Sequence, residues 1–328
     1  MTLPIIPDHE PPAVKNTFPI VVQLVVLGLF LSGIFGLLWW SSQDSTPQPT
    51  EREYKTVPLY TATAAPTAIM IDDIALQAKA AYVFDVKSQR ALYAKNESEP
   101  LPLASITKLM TALLAHELIV ADELVTIPSV AIAQEGDSGL QAGELFTAEQ
   151  LSEFSLLSSS NDAAYTLAAS VGNLLGQRDP AEQFVAGMNI RARELGLNSL
   201  EFKNMTGLDV STTEPGAIGT AKDVSFLLEY IILNYPEILT PTQEPSSRVY
   251  NDDGAYHDLS NTNPVVDQIP NLIGSKTGYT DLAGGNLTVA FELGLDRPII
   301  ITVLGSTRDA RFSDVLTLVT AIQTSTAN

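Results

Sequence analysis

Ser105 and Lys108 lie three residues apart in a segment whose apolar residues follow the helical period. Apolar residues recur at core spacing between positions 105 and 118, which predicts a helix over that range. Positions i and i+3 of a helix share a face, so the hydroxyl and the amine are expected to stand side by side. The fold is therefore required to hold a serine and a lysine together at the start of a buried helix.

This pair can open an amide only if the lysine is neutral and takes the serine proton. A free lysine titrates near ~10.4, so action at neutral pH requires its pKa to fall by roughly three units, or ~4 kcal/mol. Burial and a second nearby cation can supply such a shift, and Lys276 is the candidate cation. The alternative is that Ser105 caps the helix while Lys108 is exposed.

Ser159 and Asn161 lie between two helical patterns, in a loop where polar side chains can point into a cleft. A second hydroxyl there can relay a proton from the base to a leaving nitrogen. The carboxamide can hold a substrate amide while contacting Lys108. Residues 158–161 can also cap the following helix, and the two interpretations do not exclude each other.

Lys276, Thr277 and Gly278 follow an apolar pair and have the pattern of the start of a strand. A cation and a hydroxyl at this place can bind a terminal carboxylate, and Gly278 leaves the strand edge open to a substrate backbone. The N–H groups of Ser105 and Tyr279 are then the candidate oxyanion hole. The alternative is a polar turn that leads into an ordinary strand.

Composition excludes several other classes of function. The chain has 38 acidic and 18 basic residues and a net charge of −20, which argues against nucleic acid as a partner. It has no cysteine, so thiol catalysis and disulfides are excluded, and its three histidines are too scattered for a zinc site. We expect neither a metal nor a cofactor. His116 lies ~16 Å along the helix from Ser105, and no Gly-x-Ser-x-Gly motif accompanies His257, so a Ser-His-Asp triad is disfavoured.

Residues 18–40 are almost wholly apolar and carry no charge. A helix of this length spans roughly 35 Å, enough for a ~30 Å hydrocarbon core, so we predict an uncleaved transmembrane anchor. Residues 1–17 are then a short cytoplasmic tail, 41–66 a flexible linker rich in Ser, Thr, Gln and Pro, and 67–328 an extracytoplasmic catalytic domain. A cleaved signal peptide is the alternative for the apolar run.

Strand and helix patterns within that domain indicate an α+β fold. Short apolar runs on either side of residues 87–90 predict a β-hairpin. Helical patterns recur at 148–157, 161–175, 181–195 and 221–234, adjacent strands are predicted at 286–293 and 298–304, and a closing helix carries Phe312, Val315, Leu316, Val319 and Ile322 on one face. Strands at both ends predict that the N- and C-terminal strands share one antiparallel sheet beside a helical subdomain.

The three polar motifs and their flanking residues resemble those of D-alanyl-D-alanine carboxypeptidases, the low-molecular-mass penicillin-binding proteins. The similarity spans roughly 80–320 and is carried by Tyr82–Asp85, Leu103–Thr111, Ser159–Ala164, Gly207–Asp209, Thr220–Asp223, Asn261–Asn263, Lys276–Thr280, Val303–Gly305 and Arg311–Phe312. The resemblance implies a penicilloyl-serine-transferase, or β-lactamase-like, fold in which an α/β sheet packs against a helical region.

The resemblance also implies an activity and a set of roles. The family removes the terminal D-alanine of peptidoglycan stem peptides through an acyl-enzyme, and β-lactam antibiotics inhibit it covalently. By analogy Ser105 is the nucleophile and Lys108 its base, and Ser159 and Asn161 assist protonation of the leaving group. Lys276 and Thr277 would bind the terminal carboxylate, with Arg311 at the same end.

The chain departs from the common family pattern in three respects. It has Ser160 where glycine is usual and an N-terminal span where many members have a C-terminal anchor, and we expect no further β-rich domain after the closing helix. Shorter relatives include D,D-endopeptidases, which are the first alternative. A β-lactamase is less favoured because Glu201 and Glu214 lack a flanking pattern for activating water. A membrane-tethered wall-binding protein without turnover would not need Ser105, Lys108 and Lys276 together.

Overall fold

The computed structural model describes residues 74–136, 138–176 and 178–326. The predicted anchor at 18–40, the tail before it and the linker after it lie outside these residues. Within the described ranges, no helix combines the length and the apolar character that crossing a bilayer takes.

A five-stranded antiparallel sheet forms the centre of the domain, and its strands are neighbours in the order Leu272–Thr280, Gly284–Glu292, Pro298–Ser306, Ala80–Asp85 and Arg90–Lys95. The strands are β1 Ala80–Asp85, β2 Arg90–Lys95, β3 Leu101–Pro102, β4 Leu124–Thr126, β5 Leu145–Thr147, β6 Glu201–Phe202, β7 Ala217–Gly219, β8 Ser246–Tyr250, β9 Tyr256–Ser260, β10 Leu272–Thr280, β11 Gly284–Glu292 and β12 Pro298–Ser306. Val83 of β1 lies opposite Ile301 of β12. The prediction that terminal strands share one antiparallel sheet is therefore confirmed.

Both faces of this sheet are covered, which explains why its strands read as continuous apolar runs. All six residues of β1 are buried. Tyr82 and Phe84 belong to the core cluster that includes the helical region, whereas Val83 belongs to a second cluster with Val315 and Ile322 of the closing helix. Alternate side chains of one strand thus fill two cores.

The helices of the domain agree closely with the sequence patterns. They are α1 Lys108–Leu118, α2 Ala148–Leu157, α3 Asn161–Leu175, α4 Pro180–Glu194, α5 Ala221–Asn234 and α6 Ala310–Thr326, with 3₁₀ turns at Ala104–Thr107, Pro236–Gln243 and Val266–Gln268. Caps fix several helix starts: Thr147 and Gln150 form a capping box for α2, and the Thr220 hydroxyl accepts from the Asp223 N–H at α5. Each cap satisfies N–H groups that the first helical turn leaves unpaired.

The start of the catalytic helix differs from the prediction. Ser105 lies in the 3₁₀ turn, and the α-helix begins only at Lys108. Ala104, just before the serine, has a φ of 49°, a left-handed conformation that non-glycine residues rarely adopt. The strand motif also differs, because Lys276–Gly278 occupy the middle of β10 and do not begin it. The hairpin of β8 and β9 was not predicted.

Asn286 ties the segment before the serine to the central sheet. This fully buried side chain donates from Nδ2 to the carbonyls of Pro102 at 2.9 Å and Leu103 at 3.0 Å, and its Oδ1 accepts from the Gly305 N–H at 2.8 Å. All three partners are backbone groups from two different segments. Strand β11 therefore fixes the position of the turn that carries Ser105 relative to β10.

Candidate active site

Ser105 and Lys108 are in direct contact. The Lys108 Nζ lies 2.8 Å from the Ser105 Oγ, as the i, i+3 spacing predicted, even though the serine lies in a 3₁₀ turn. The lysine side chain is completely buried. The alternative of a helix cap beside an exposed lysine is therefore wrong for Lys108, and the Ser105 side chain caps no N–H group.

Two further hydrogen bonds orient the Lys108 amine. Its Nζ donates to the Asn161 Oδ1 at 2.7 Å and to the Thr206 carbonyl at 2.8 Å. The Asn161 Nδ2 in turn donates to the Glu135 carbonyl at 2.6 Å, which turns the amide oxygen toward the lysine. A neutral amine has two N–H donors and one lone pair. Because both of those partners can only accept, the lone pair is left for the Ser105 hydroxyl proton.

The electrostatic environment favours this neutral form. Burial lowers the pKa of Lys108 well below its ordinary value of 10.5, and the charge of Lys276 lowers it further. Burial disfavours the charged form because the interior solvates an ammonium poorly, and a neighbouring cation adds repulsion. A neutral lysine hydrogen-bonded to a serine hydroxyl is arranged as a general base.

Ser159 faces the site from the loop between α2 and α3. Its backbone has a φ of 62°, and its Oγ accepts from the Lys276 Nζ at 2.9 Å. The neighbouring Ser160 caps α3, because its Oγ accepts from the Ala163 N–H at 3.0 Å. The cap is therefore supplied by Ser160, and the catalytic role of Ser159 stays a prediction.

Lys276 is the second buried amine of the site, with 1% of its surface exposed. Besides Ser159 it donates to the Thr277 carbonyl at 3.0 Å. Burial, followed by the charge of Arg311, lowers its pKa from 10.5 to about 7. The Thr277 hydroxyl donates to the Thr262 hydroxyl at 2.7 Å. An amine and a hydroxyl therefore lie close together at the edge strand β10, as anion binding requires.

Gly278 allows β10 to approach the serine turn. A Cβ at this position would lie 2.8 Å from the Leu103 carbonyl oxygen and 3.2 Å from the Ser105 nitrogen. Real side chains do not tolerate such contacts with backbone, so glycine is needed for the approach. It brings the N–H of Ser105 beside β10, where the N–H of Tyr279 follows. The oxyanion hole stays a prediction that fits this arrangement.

Arg311 lies close to the site but contacts it through the backbone. Its Nη1 donates to the Gly278 carbonyl at 2.6 Å from the first turn of α6, and its side chain is buried. The guanidinium thus supports the strand and supplies positive charge beside Lys276. Direct binding of a substrate carboxylate by Arg311 stays a prediction.

Sequence reasoning missed the backbone turn that completes the lysine site. The Asn204 Oδ1 accepts from the N–H groups of Thr206 at 3.1 Å and Gly207 at 2.7 Å, and this turn presents the Thr206 carbonyl to Lys108. Gly207 has a φ of 81°, and a Cβ there would lie 1.9 Å from the Ala104 carbonyl oxygen. The asparagine and glycine were visible as a turn pattern, but the carbonyl contact has no signature in residue types.

Metal ligation and a serine–histidine pair are the other arrangements that the described residues could offer. No group of three or more His, Asp or Glu side chains there is placed to hold a metal ion. His116 bonds Glu237 at 3.1 Å and His257 bonds Glu144 at 2.9 Å, so neither histidine is paired with a serine.

The lowered lysine pKa predicts a pH dependence of stability. Between about pH 7 and its ordinary pKa, Lys276 is protonated in the unfolded chain and neutral in the folded one. The unfolded state then binds more protons, so the free energy of unfolding rises with pH in this window. One pKa unit corresponds to ~1.4 kcal/mol, and we expect the Lys276→Met variant to lose on the order of several kcal/mol of that rise.

Chemical denaturation at several pH values from 7 to 10 measures the effect. Lys87→Met, which removes an exposed amine, is the matched control. An equal rise in the wild type and in Lys276→Met would contradict the assignment of a neutral buried amine.

Comparisons with known proteins identify the family to which the chain is similar. The sequence profile of the peptidase S11 family, described as D-alanyl-D-alanine carboxypeptidase, matches residues 62–308. The D-alanyl-D-alanine carboxypeptidase DacF of Bacillus subtilis is 32% identical over 267 residues, which cover 77% of this chain and 65% of that protein. The chain thus spans slightly less than two thirds of this relative. The D-alanyl-D-alanine endopeptidase of Escherichia coli is 28% identical over 274 residues, which cover 80% of this chain and 82% of that protein.

A solved structure gives the same result for the fold. Penicillin-binding protein D2 from Listeria monocytogenes, in its ampicillin-bound form, is 32% identical with a TM-score of 0.63, and the match covers 76% of this chain and 98% of that one. The predicted penicilloyl-serine-transferase fold is confirmed by this likeness and by the mixed sheet and helices. Since the family profile also extends over most of the chain, the protein belongs to the D-alanyl-D-alanine carboxypeptidase family of serine peptidases.

Proposed function

We propose that this protein is a serine D,D-carboxypeptidase that removes the terminal D-alanine of peptidoglycan stem peptides. The observation that carries the proposal is the contact of 2.8 Å between the buried Lys108 Nζ and the Ser105 Oγ, with the other two lysine contacts made to groups that only accept. No histidine or metal is needed for the chemistry that follows.

Substrate binding uses the free edge of β10. The peptide backbone lies along this edge, because β10 is the last strand of its sheet and Gly278 lets that strand approach the turn that carries Ser105. The terminal carboxylate meets Lys276 and Thr277, and the scissile carbonyl lies beside Ser105. Arg311 stabilises the same anionic end through its charge. The carboxylate also raises the fraction of protonated Lys276, since an adjacent anion favours the ammonium.

Acylation begins when Ser105 gives its proton to Lys108 and its Oγ attacks the carbonyl carbon. The N–H groups of Ser105 and Tyr279 hold the oxygen that becomes negative, a contribution worth ~2.7–4 kcal/mol per donor in other serine peptidases. The proton on Lys108 then passes to the leaving nitrogen with the Ser159 hydroxyl as relay. The C–N bond breaks, D-alanine leaves and an ester to Ser105 remains.

Deacylation repeats these steps with water. Lys108, neutral again after the proton has left, takes a proton from the attacking water and returns it to the Ser105 Oγ. A β-lactam ring enters the same sequence and leaves an acyl group on Ser105, so we propose these antibiotics as covalent inhibitors.

The alternative substrate is a peptidoglycan cross-link, cut by the same steps in a D,D-endopeptidase. Relatives of both kinds match this chain: the Escherichia coli endopeptidase is 28% identical and the Bacillus carboxypeptidase 32% identical. A β-lactamase needs a carboxylate that activates water, and the Glu214 carboxylate is instead paired with Lys203 at 2.6 Å. A wall-binding protein without turnover would have no use for a buried amine on the serine.

The proposal is tested by measuring two activities of the protein: release of D-alanine from a synthetic stem pentapeptide, and cleavage of a cross-linked muropeptide dimer. We expect D-alanine release by the wild type, none by Ser105→Ala, and a loss of roughly 10²–10⁴-fold for Lys108→Met, the range of general-base contributions. His116→Gln, whose side chain bonds Glu237, is the control and retains activity. Cleavage of the dimer without D-alanine release would replace the carboxypeptidase by the endopeptidase.

We further propose that the catalytic domain lies outside the cytoplasmic membrane. The support is the uncharged apolar run at 18–40, with the tail 1–17 inside and the linker 41–66 outside. Membrane fractionation and N-terminal sequencing of the mature protein test this. We expect a membrane-bound protein that retains residues 18–40 and is digested by protease added to spheroplasts. A mature N-terminus beyond residue 40 would establish a cleaved signal peptide instead.

A further inference from the structure

Tyr279 and Arg308 form a contact at the mouth of the site that the catalytic steps do not use. Tyr279 follows Gly278 on β10 and is 42% exposed. The Arg308 guanidinium lies over its ring, 5.2 Å from the centroid. This geometry is a cation–π contact, which holds a planar guanidinium in place without consuming its N–H donors.

The backbone holds Arg308 against the sheet. Gly285 of β11 lies between Tyr279 and Ser306 in the strand register. A Cβ on Gly285 would lie 2.0 Å from the Thr307 carbonyl oxygen and 3.2 Å from the Arg308 nitrogen. The absent side chain therefore lets the loop before α6 pack directly on the strand beside Tyr279. The side chain of Arg308 is therefore exposed, while its backbone packs against β11.

The charge of Arg308 is not neutralised by a nearby acid. Among the described parts of the chain, no carboxylate lies within ion-pair distance of its guanidinium, although the protein has a net charge of −20. Burial lowers the pKa of Arg311 to about 10, and the positive charge of Arg308 is the second cause of this shift. The negative charge of Asp309 acts in the opposite direction. Arg308 thus extends the positive region of Lys276 and Arg311 along β10.

The proposed binding mode fixes which part of a substrate reaches Arg308. The terminal carboxylate lies at Lys276 and Thr277, and the scissile carbonyl lies at Gly278. The acyl part of the peptide therefore continues past Tyr279, away from Lys276. The scissile carbonyl belongs to the penultimate D-alanine, so the residue before the D-alanine pair is the next one along the edge, on the Tyr279 side of the reacting bond.

We propose that Arg308, held on the ring of Tyr279, binds a second carboxylate of the substrate, on the side chain of the residue that precedes the D-alanine pair. This inference rests on the proposed function. It assigns as preferred substrates stem peptides whose third residue is a diamino dicarboxylic acid, which has a distal carboxylate beside its amine. A lysine at that position offers Arg308 only an ammonium, which the guanidinium repels.

Two acetylated tripeptides that differ only in this carboxylate test the proposal, namely diaminopimelyl-D-Ala-D-Ala and lysyl-D-Ala-D-Ala. We expect the wild-type protein to favour the first by roughly three- to tenfold in kcat/KM, the range of a partly exposed charge-assisted pair. Arg308→Gln should lower this ratio below about two by slowing the first peptide alone, and Arg308→Lys should keep part of it because the charge remains. Arg193→Gln, which removes an exposed arginine on α4, should keep the wild-type ratio.

The rate of acylation by benzylpenicillin separates the ways in which this test can fail. Unchanged acylation of Arg308→Gln shows an intact site. No preference in the wild type, or the same preference in Arg308→Gln, would overturn the subsite and leave the proposed function standing. If the wild type is acylated but releases no D-alanine from either peptide, the carboxypeptidase proposal fails, and the inhibition of acylation by each peptide then gives the preference directly.

Discussion

The burial of two lysine amines beside one another is the constraint on which the rest of the site depends. Neither Lys108 nor Lys276 has a carboxylate within ion-pair distance among the described residues. Two ammonium groups in the interior would be costly, because burial and mutual repulsion both act against charge. The protein avoids this cost by keeping Lys108 neutral. A buried carboxylate partner would stabilise the ammonium and remove the base.

The surrounding fold buries the amines of Lys108 and Lys276 and holds their hydrogen-bond partners in position. Asn286 joins the serine turn to β11, Gly278 lets β10 approach that turn, and Asn204 shapes the turn that presents the Thr206 carbonyl. Each contact joins segments distant in the chain, so the geometry of the site is a property of the whole domain. Residues held in this way can support a strained backbone, such as the left-handed Ala104 and Ser159, that an isolated loop would not maintain.

Much of this organisation could be predicted from the sequence, and the reasons are local. The spacing of Ser105 and Lys108 and the cap within residues 158–161 act within a few residues, where residue type determines conformation. The Thr206 carbonyl, the 3₁₀ turn at Ser105 and the role of Gly285 could not be predicted. They depend on backbone groups and close approaches between distant segments, which leave little trace in residue type.

The protonation state of Lys108 tests the central claim most directly. Carbon-13 labelling of the lysine ε-methylene groups, with Lys108→Met to identify the signal, allows its titration to be followed by NMR from pH 5 to 10. The account predicts that the Lys108 amine is neutral at pH 7. A Lys108 that is fully protonated at pH 7 and titrates near ~10.4, as a free lysine does, would contradict it.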